Sequence, residues 1–272
     1  MRIHARARHL PAALAAALAA STGAQADDAA REISGNIELT SDYVFRGLTQ
    51  TWGKPAIQGG ADLSMANGFA AGTWGSSIGG HSYPGGSMEL DLYASYGRPI
   101  ADGWSWRAGL YGYAYPGANL DHANLPSRSF DTLEANVAVS WNRWTLKWSR
   151  ALTDYFGADR EQGYRGSSNG TNYFLLEGAW PLDARWTMTV HAGYTDYATT
   201  LIATNADGAR DPSYADLGFG AKCQLGGHWS VVAVATHATN ARFYRHTASF
   251  QDPGDVRDVG GLRGWLQLQG NF

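Results

Sequence analysis

Gly261-Leu-Arg-Gly-Trp-Leu-Gln-Leu-Gln-Gly-Asn-Phe272 reads in steps of two. Its even positions are Leu262, Gly264, Leu266, Leu268, Gly270 and Phe272; its odd positions are Arg263, Trp265, Gln267, Gln269 and Asn271. Such a segment is a strand with one apolar and one mostly polar face. A soluble domain rarely leaves a free edge strand ending in a bare Phe. A strand that pairs with the first one to close a barrel in lipid has this pattern.

The other end of the chain sets the compartment. Arg2, Arg6 and Arg8 precede an apolar run from Leu10 to Ala20, and Ala24-Gln25-Ala26 is a small-x-small cleavage site. Residues 1–26 therefore read as a secretory signal peptide, too short to span a membrane as a helix. Beyond Ala26, 18 basic residues face 24 acidic ones, a formal charge of −6 that argues against a nucleic-acid partner. Cys223 stands alone, so no internal disulfide framework exists. The 34 Gly and 34 aromatic residues suit a twisted β structure with rings at a membrane interface.

The same alternation recurs upstream. It predicts strands over Ile33–Phe45, Ile57–Met65, Phe69–Ile78, Met88–Tyr96, Trp104–Tyr111, Thr132–Trp141, Trp144–Ser149, Thr171–Trp180, Trp186–Tyr194, Ala215–Leu225 and Trp229–Ala235. With the closing strand that makes twelve, an even number. Short turns, among them Asn67-Gly68, Asn142-Arg143 and Gly226-Gly227, alternate with longer connections such as 115–130, 154–170 and 239–260. The expected fold is all-β: a closed antiparallel transmembrane barrel with short periplasmic turns and longer extracellular loops. Trp104, Trp141, Trp144, Trp180, Trp186 and Trp229 flank the short turns, as a periplasmic aromatic girdle would.

The segment Ser34-Gly-Asn-Ile-Glu-Leu-Thr-Ser-Asp-Tyr-Val-Phe-Arg-Gly-Leu-Thr-Gln50 resembles the opening motif of a proteobacterial family, the TorF-like porins. Gly53-Lys-Pro-Ala-Ile-Gln-Gly-Gly60, Gly72-Thr-Trp-Gly-Ser76 and Asp154-Tyr-Phe-Gly157 resemble it too. The final Phe272 is similar to the ending of many bacterial outer-membrane barrels. The resemblance implies an outer-membrane porin and carries over no catalytic residue.

With apolar faces toward lipid, the polar faces line a lumen. The pore-lining candidates are Glu38, Asp42, Arg46, Asp62, Glu89, Asp91, Arg107, Glu134, Lys147 and Arg263, joined by Gln58, Glu177, Asp216, Lys222, Gln267 and Gln269. Eight of these are acidic and five basic, which predicts weak cation selectivity. Side chains fill a barrel of about eight strands and sixteen or more leave a channel, so twelve admits both an open pore and a plugged barrel. Arg46 is expected to pair with Asp42, four residues back on the same face, and Gly47 to let the chain bend into the first loop.

No catalytic, cofactor or metal site is expected. His191, by parity, points into the lumen and away from any lipid substrate; no G-x-S-x-G elbow occurs. His228, His237 and His246 lack ligand spacing, and Asp207-Gly208 with Asp211 reads as an ordinary turn. A barrel acting as adhesin or receptor through its loops is the alternative function. The expected surroundings are outer-membrane lipid, lipopolysaccharide and the barrel-assembly machinery, with the transported solute unread.

Overall fold

The computed structural model describes residues 31–272, so the expected signal peptide lies outside the described residues. Twelve long strands form one ring: β1 (Arg31–Thr40), β2 (Ala56–Met65), β3 (Phe69–Ser77), β4 (Met88–Ala101), β5 (Trp104–Ala114), β6 (Thr132–Trp141), β7 (Trp144–Ala151), β8 (Asn172–Pro181), β9 (Trp186–Asp196), β10 (Tyr214–Gly226), β11 (Trp229–Ala238) and β12 (Arg263–Asn271). Each pairs antiparallel with its sequence neighbours, and β1 with β12 closes the barrel. The closing register sets Glu38 against Gln269 and Leu39 against Leu268. Phe272 N donates to Gly35 O at 2.9 Å and Gly35 N to Phe272 O at 3.0 Å. Among the described residues, no helix is long and apolar enough to cross a membrane.

The burial pattern is inside out. Leu39, Leu92, Leu146, Leu217 and Leu266 are each more than half exposed on the outer surface. Glu38, Glu89, Glu134, Asp216, Gln267 and Gln269 are buried within. An apolar band this continuous is stable only against hydrocarbon, and period-two alternation is how one strand serves both environments. A cation on that band loses its hydration. Leu266→Arg is therefore expected to cost about 2–4 kcal/mol if the site lies near the bilayer midplane, read as a shift in the urea midpoint of the refolded protein.

The tryptophan girdle forms as expected. At the short-turn end Trp104 stacks on Trp141 with ring centroids 5.6 Å apart, and Trp144 meets Trp180 edge-on at 4.9 Å. At the opposite end the loops pack on one another. Tyr83 stacks on Tyr115 at 4.5 Å, Phe130 abuts Tyr83, and Leu120 is fully buried among them.

Two strand boundaries differ from the sequence reading by five residues, and the others fall within three. β4 continues through Pro99-Ile100-Ala101, with a register shift absorbing the proline. β1 stops at Thr40, not Phe45. Residues 41–55 leave the wall and make a hairpin of their own, Val44–Phe45 against Leu48–Thr49.

Candidate functional site

The site is the lumen, and that hairpin governs it. Its two central residues, Arg46 and Gly47, have φ of 47° and 77°. Positive φ at both positions is the type I′ turn favoured in two-residue hairpins. Glycine adopts it freely, whereas arginine pays about 1–2 kcal/mol. A non-glycine held there marks a side chain whose position matters more than its backbone comfort.

From that turn the hairpin spans the lumen. Val44 packs on Val232, Val234 and Trp265, from β11 and β12. Phe45 lies edge-on to Tyr113 of β5 and to Phe156, at 5.7 and 5.8 Å. The Arg46 guanidinium forks onto Glu134 of β6, Nη1 to Oε1 at 2.9 Å and Nη2 to Oε2 at 2.7 Å. It also donates to Tyr155 Oη at 2.9 Å and sits 4.1 Å over the Tyr173 ring. A bidentate, charge-assisted pair with a cation–π contact is a strong tie for a buried arginine.

The expected Arg46–Asp42 pair is thus corrected. The i, i+4 relation assumed a continuous strand, but the chain leaves the wall after Thr40 and Arg46 is carried across the barrel. Asp42, also off the wall, pairs instead with Arg263 of β12 at 3.2 Å and accepts from Thr49 and Thr51 at 2.6 and 3.0 Å. Gly47 does let the chain bend, and it does more. A Cβ there would lie 2.7 Å from that of Asp216 and 3.1 Å from that of Ala238. Gly47→Val is expected to lift the hairpin from the β10–β11 wall and to lower stability by about 1–3 kcal/mol, measurable by urea titration on semi-native gels.

The remaining candidates lie on the wall, facing inward. Lys222 Nζ donates to Gln269 at 3.1 Å, and Gln269 donates on to Glu38 at 2.8 Å. Arg107 donates to Ser95 at 3.0 Å. Lys147 lies near Glu134 and Glu177. Tyr93 and Tyr111, opposite each other on β4 and β5, stack at 4.9 Å. Tyr93 donates to Asp62 at 2.7 Å, Tyr111 to Asp91 at 3.1 Å, and Tyr113 to Glu134 at 3.2 Å. Each phenol of this row donates to a carboxylate. Sequence reading missed the row; the signal available was Tyr93, Tyr111 and Tyr113 sharing the polar faces of their strands.

His191 points inward and bonds Asp216, which also accepts from Tyr173 at 3.2 Å. Among the described residues no three His, Cys, Asp or Glu converge as metal ligands. Above the hairpin, Trp52 is buried, stacks on His81 and donates to Asp255 at 2.8 Å. The Arg257 guanidinium beside Asp255 holds its carboxyl below the usual carboxylate range. Asp62, Arg107, Lys147, Glu177 and His191 are only half-buried, whereas Asp42, Arg46, Glu134, Tyr155 and Tyr173 at the hairpin are buried.

A twelve-stranded transmembrane barrel with a charged interior and an inward hairpin has the architecture of a porin. A KdgM porin solved with oligogalacturonate superposes with a TM-score of 0.50 at 8% identity, over 88% of this chain and 98% of that one. A NanC porin matches with a TM-score of 0.50 at 9% identity and the same coverages. At these identities the likeness is one of fold. The chain belongs to the Gcw_chp family, bacterial proteins of unknown function, whose sequence profile matches residues 24–259. That membership does not carry the TorF-like name that the opening motif resembles; the porin-like barrel which the resemblance implied is the fold observed. No curated protein matches the sequence.

Proposed function

We propose that the protein is a narrow outer-membrane channel for small solutes, with a preference for cations, constricted by the hairpin of residues 41–55. In this reading the short turns face the periplasm, the packed loops face outward, and a cleaved leader delivers the chain to the barrel-assembly machinery. Outer-membrane lipid and lipopolysaccharide surround its apolar band. The observation that carries the reading is the distribution of lumen charge. Arg46, Arg263 and Lys222 are committed to Glu134, Asp42 and the Gln269–Glu38 relay. Among the described residues Asp62, Glu89, Asp91 and Glu177 form no ion pair, against two bases, Arg107 and Lys147, that form none either. Unpaired carboxylates on a pore wall attract cations and repel anions. An acidic oligosaccharide such as the one in the KdgM complex is disfavoured by such a wall.

Purified, refolded protein in a planar bilayer under a KCl gradient tests this. The expected reversal potential has the sign of cation preference, and Asp62→Asn reduces it. Discrete conductance steps with anion preference would overturn the selectivity. The hairpin favours a second reading, a closed barrel that acts through its loops; absence of conductance steps selects it.

A further inference from the structure

Glu89 and Asp91 stand two residues apart on β4, so both side chains point into the lumen. Both are almost completely buried, at 1% and 3% exposure. Glu89 Oε2 and Asp91 Oδ1 have no hydrogen-bond partner. Among the described residues no ion pair reaches either carboxylate: Arg46 pairs with Glu134, and Arg107 bonds Ser95. Two neighbouring carboxylates on one face of a strand without a base are costly to bury. The groups around them are aromatic. Tyr43 and Tyr115 face Glu89, Tyr111 donates to Asp91, and Trp74 stands opposite Asp91 in the ladder and edge-on to Tyr43 at 5.5 Å.

We propose that Glu89 and Asp91 form a binding step for a small, singly charged cation bearing N–H donors, ammonium or a primary alkylammonium, beneath the hairpin. This rests on the cation-preferring reading above and gives it a location and a ligand class. An ammonium head offers donors to the two free oxygens, and the rings around it supply cation–π attraction. A calcium-like ion takes six to eight oxygen ligands, and no third acidic or imidazole group converges here among the described residues. Potassium has the charge but no donors, so a comparison of the two separates charge from hydrogen bonding.

The test is calorimetric titration of methylammonium chloride into the refolded full chain in detergent, at constant ionic strength, with potassium chloride as the second titrant. Saturable methylammonium binding is expected, at least tenfold weaker in the Glu89→Gln/Asp91→Asn variant, with no matching potassium signal. Heat-modifiable gel migration reports whether that variant folds; if it does not, Glu89→Gln and Asp91→Asn singly are each expected to weaken binding. No saturable binding by the unmutated protein, or equal binding by folded variants, overturns the site. Equal affinity for potassium overturns the donor-bearing ligand class. Saturable binding that depends on these carboxylates, together with a reversal potential lacking cation preference, sinks the channel reading and leaves the site standing.

Discussion

Arg46→Ala is expected to raise single-channel conductance several-fold and to lower the stability of the refolded barrel by about 3–5 kcal/mol. The guanidinium is the hairpin's tie to the far wall, through Glu134, Tyr155 and the Tyr173 ring. Without it the hairpin retains Val44 on its apolar patch and Asp42 on Arg263, so it loosens at its tip but stays attached at its base. The stability loss comes mainly from Glu134, left buried with Tyr113 but without its cation. Adding Glu134→Gln to Arg46→Ala should restore part of the stability while conductance stays high. That split separates the two roles: stability follows the unpaired carboxylate and conductance follows the hairpin. Unchanged conductance in both variants would show that the hairpin does not set the bore.

Deletion of residues 262–272 is expected to abolish the folded barrel altogether, leaving no heat-modifiable band after refolding. β12 supplies the ladder to β1 on one side and to β11 on the other. Its loss exposes two strand edges, and in hydrocarbon unpaired backbone groups cost several kcal/mol each. It also removes Gln269, which accepts from Lys222 and donates to Glu38, and Arg263, the partner of Asp42. Gln269→Leu isolates the polar part. It keeps the strand but leaves Glu38 and Lys222 without their shared partner, at about 1–3 kcal/mol. A folded, heat-modifiable truncation product would show that closure by β12 is dispensable.

The barrel was legible in the sequence because lipid on one side and polar groups on the other force a strict alternation, and alternation survives in a single sequence. Leu262 to Phe272, the twelve strands and the tryptophan girdle all follow from it. The lumen was legible only as a list of inward positions. Which charges meet depends on how far the first loop folds inward, and partners such as Arg46 and Glu134 lie 88 residues apart. The hairpin was masked because Tyr43 and Phe45 continue the apolar parity of β1. Ser41 on the apolar face and Val44 on the polar one were the irregularities, and Val44 packs on Val232, Val234 and Trp265 inside the barrel. The loop packing around Leu120 and the extension of β4 through Pro99 depend on tertiary contacts and register shifts that alternation does not encode.

β1 runs directly into the hairpin, and β1 is also the strand that β12 meets when the ring shuts. The contacts that seat the two bind the chain's beginning to its end: Gln269 with Glu38 across 231 residues, Arg263 with Asp42 across 221. Contacts of such sequence separation form late, because the loop between them must be closed before they contribute. Sealing of the lumen is therefore timed to the last step of assembly. The base of the hairpin, held through Asp42, is seated only when the first and last strands join.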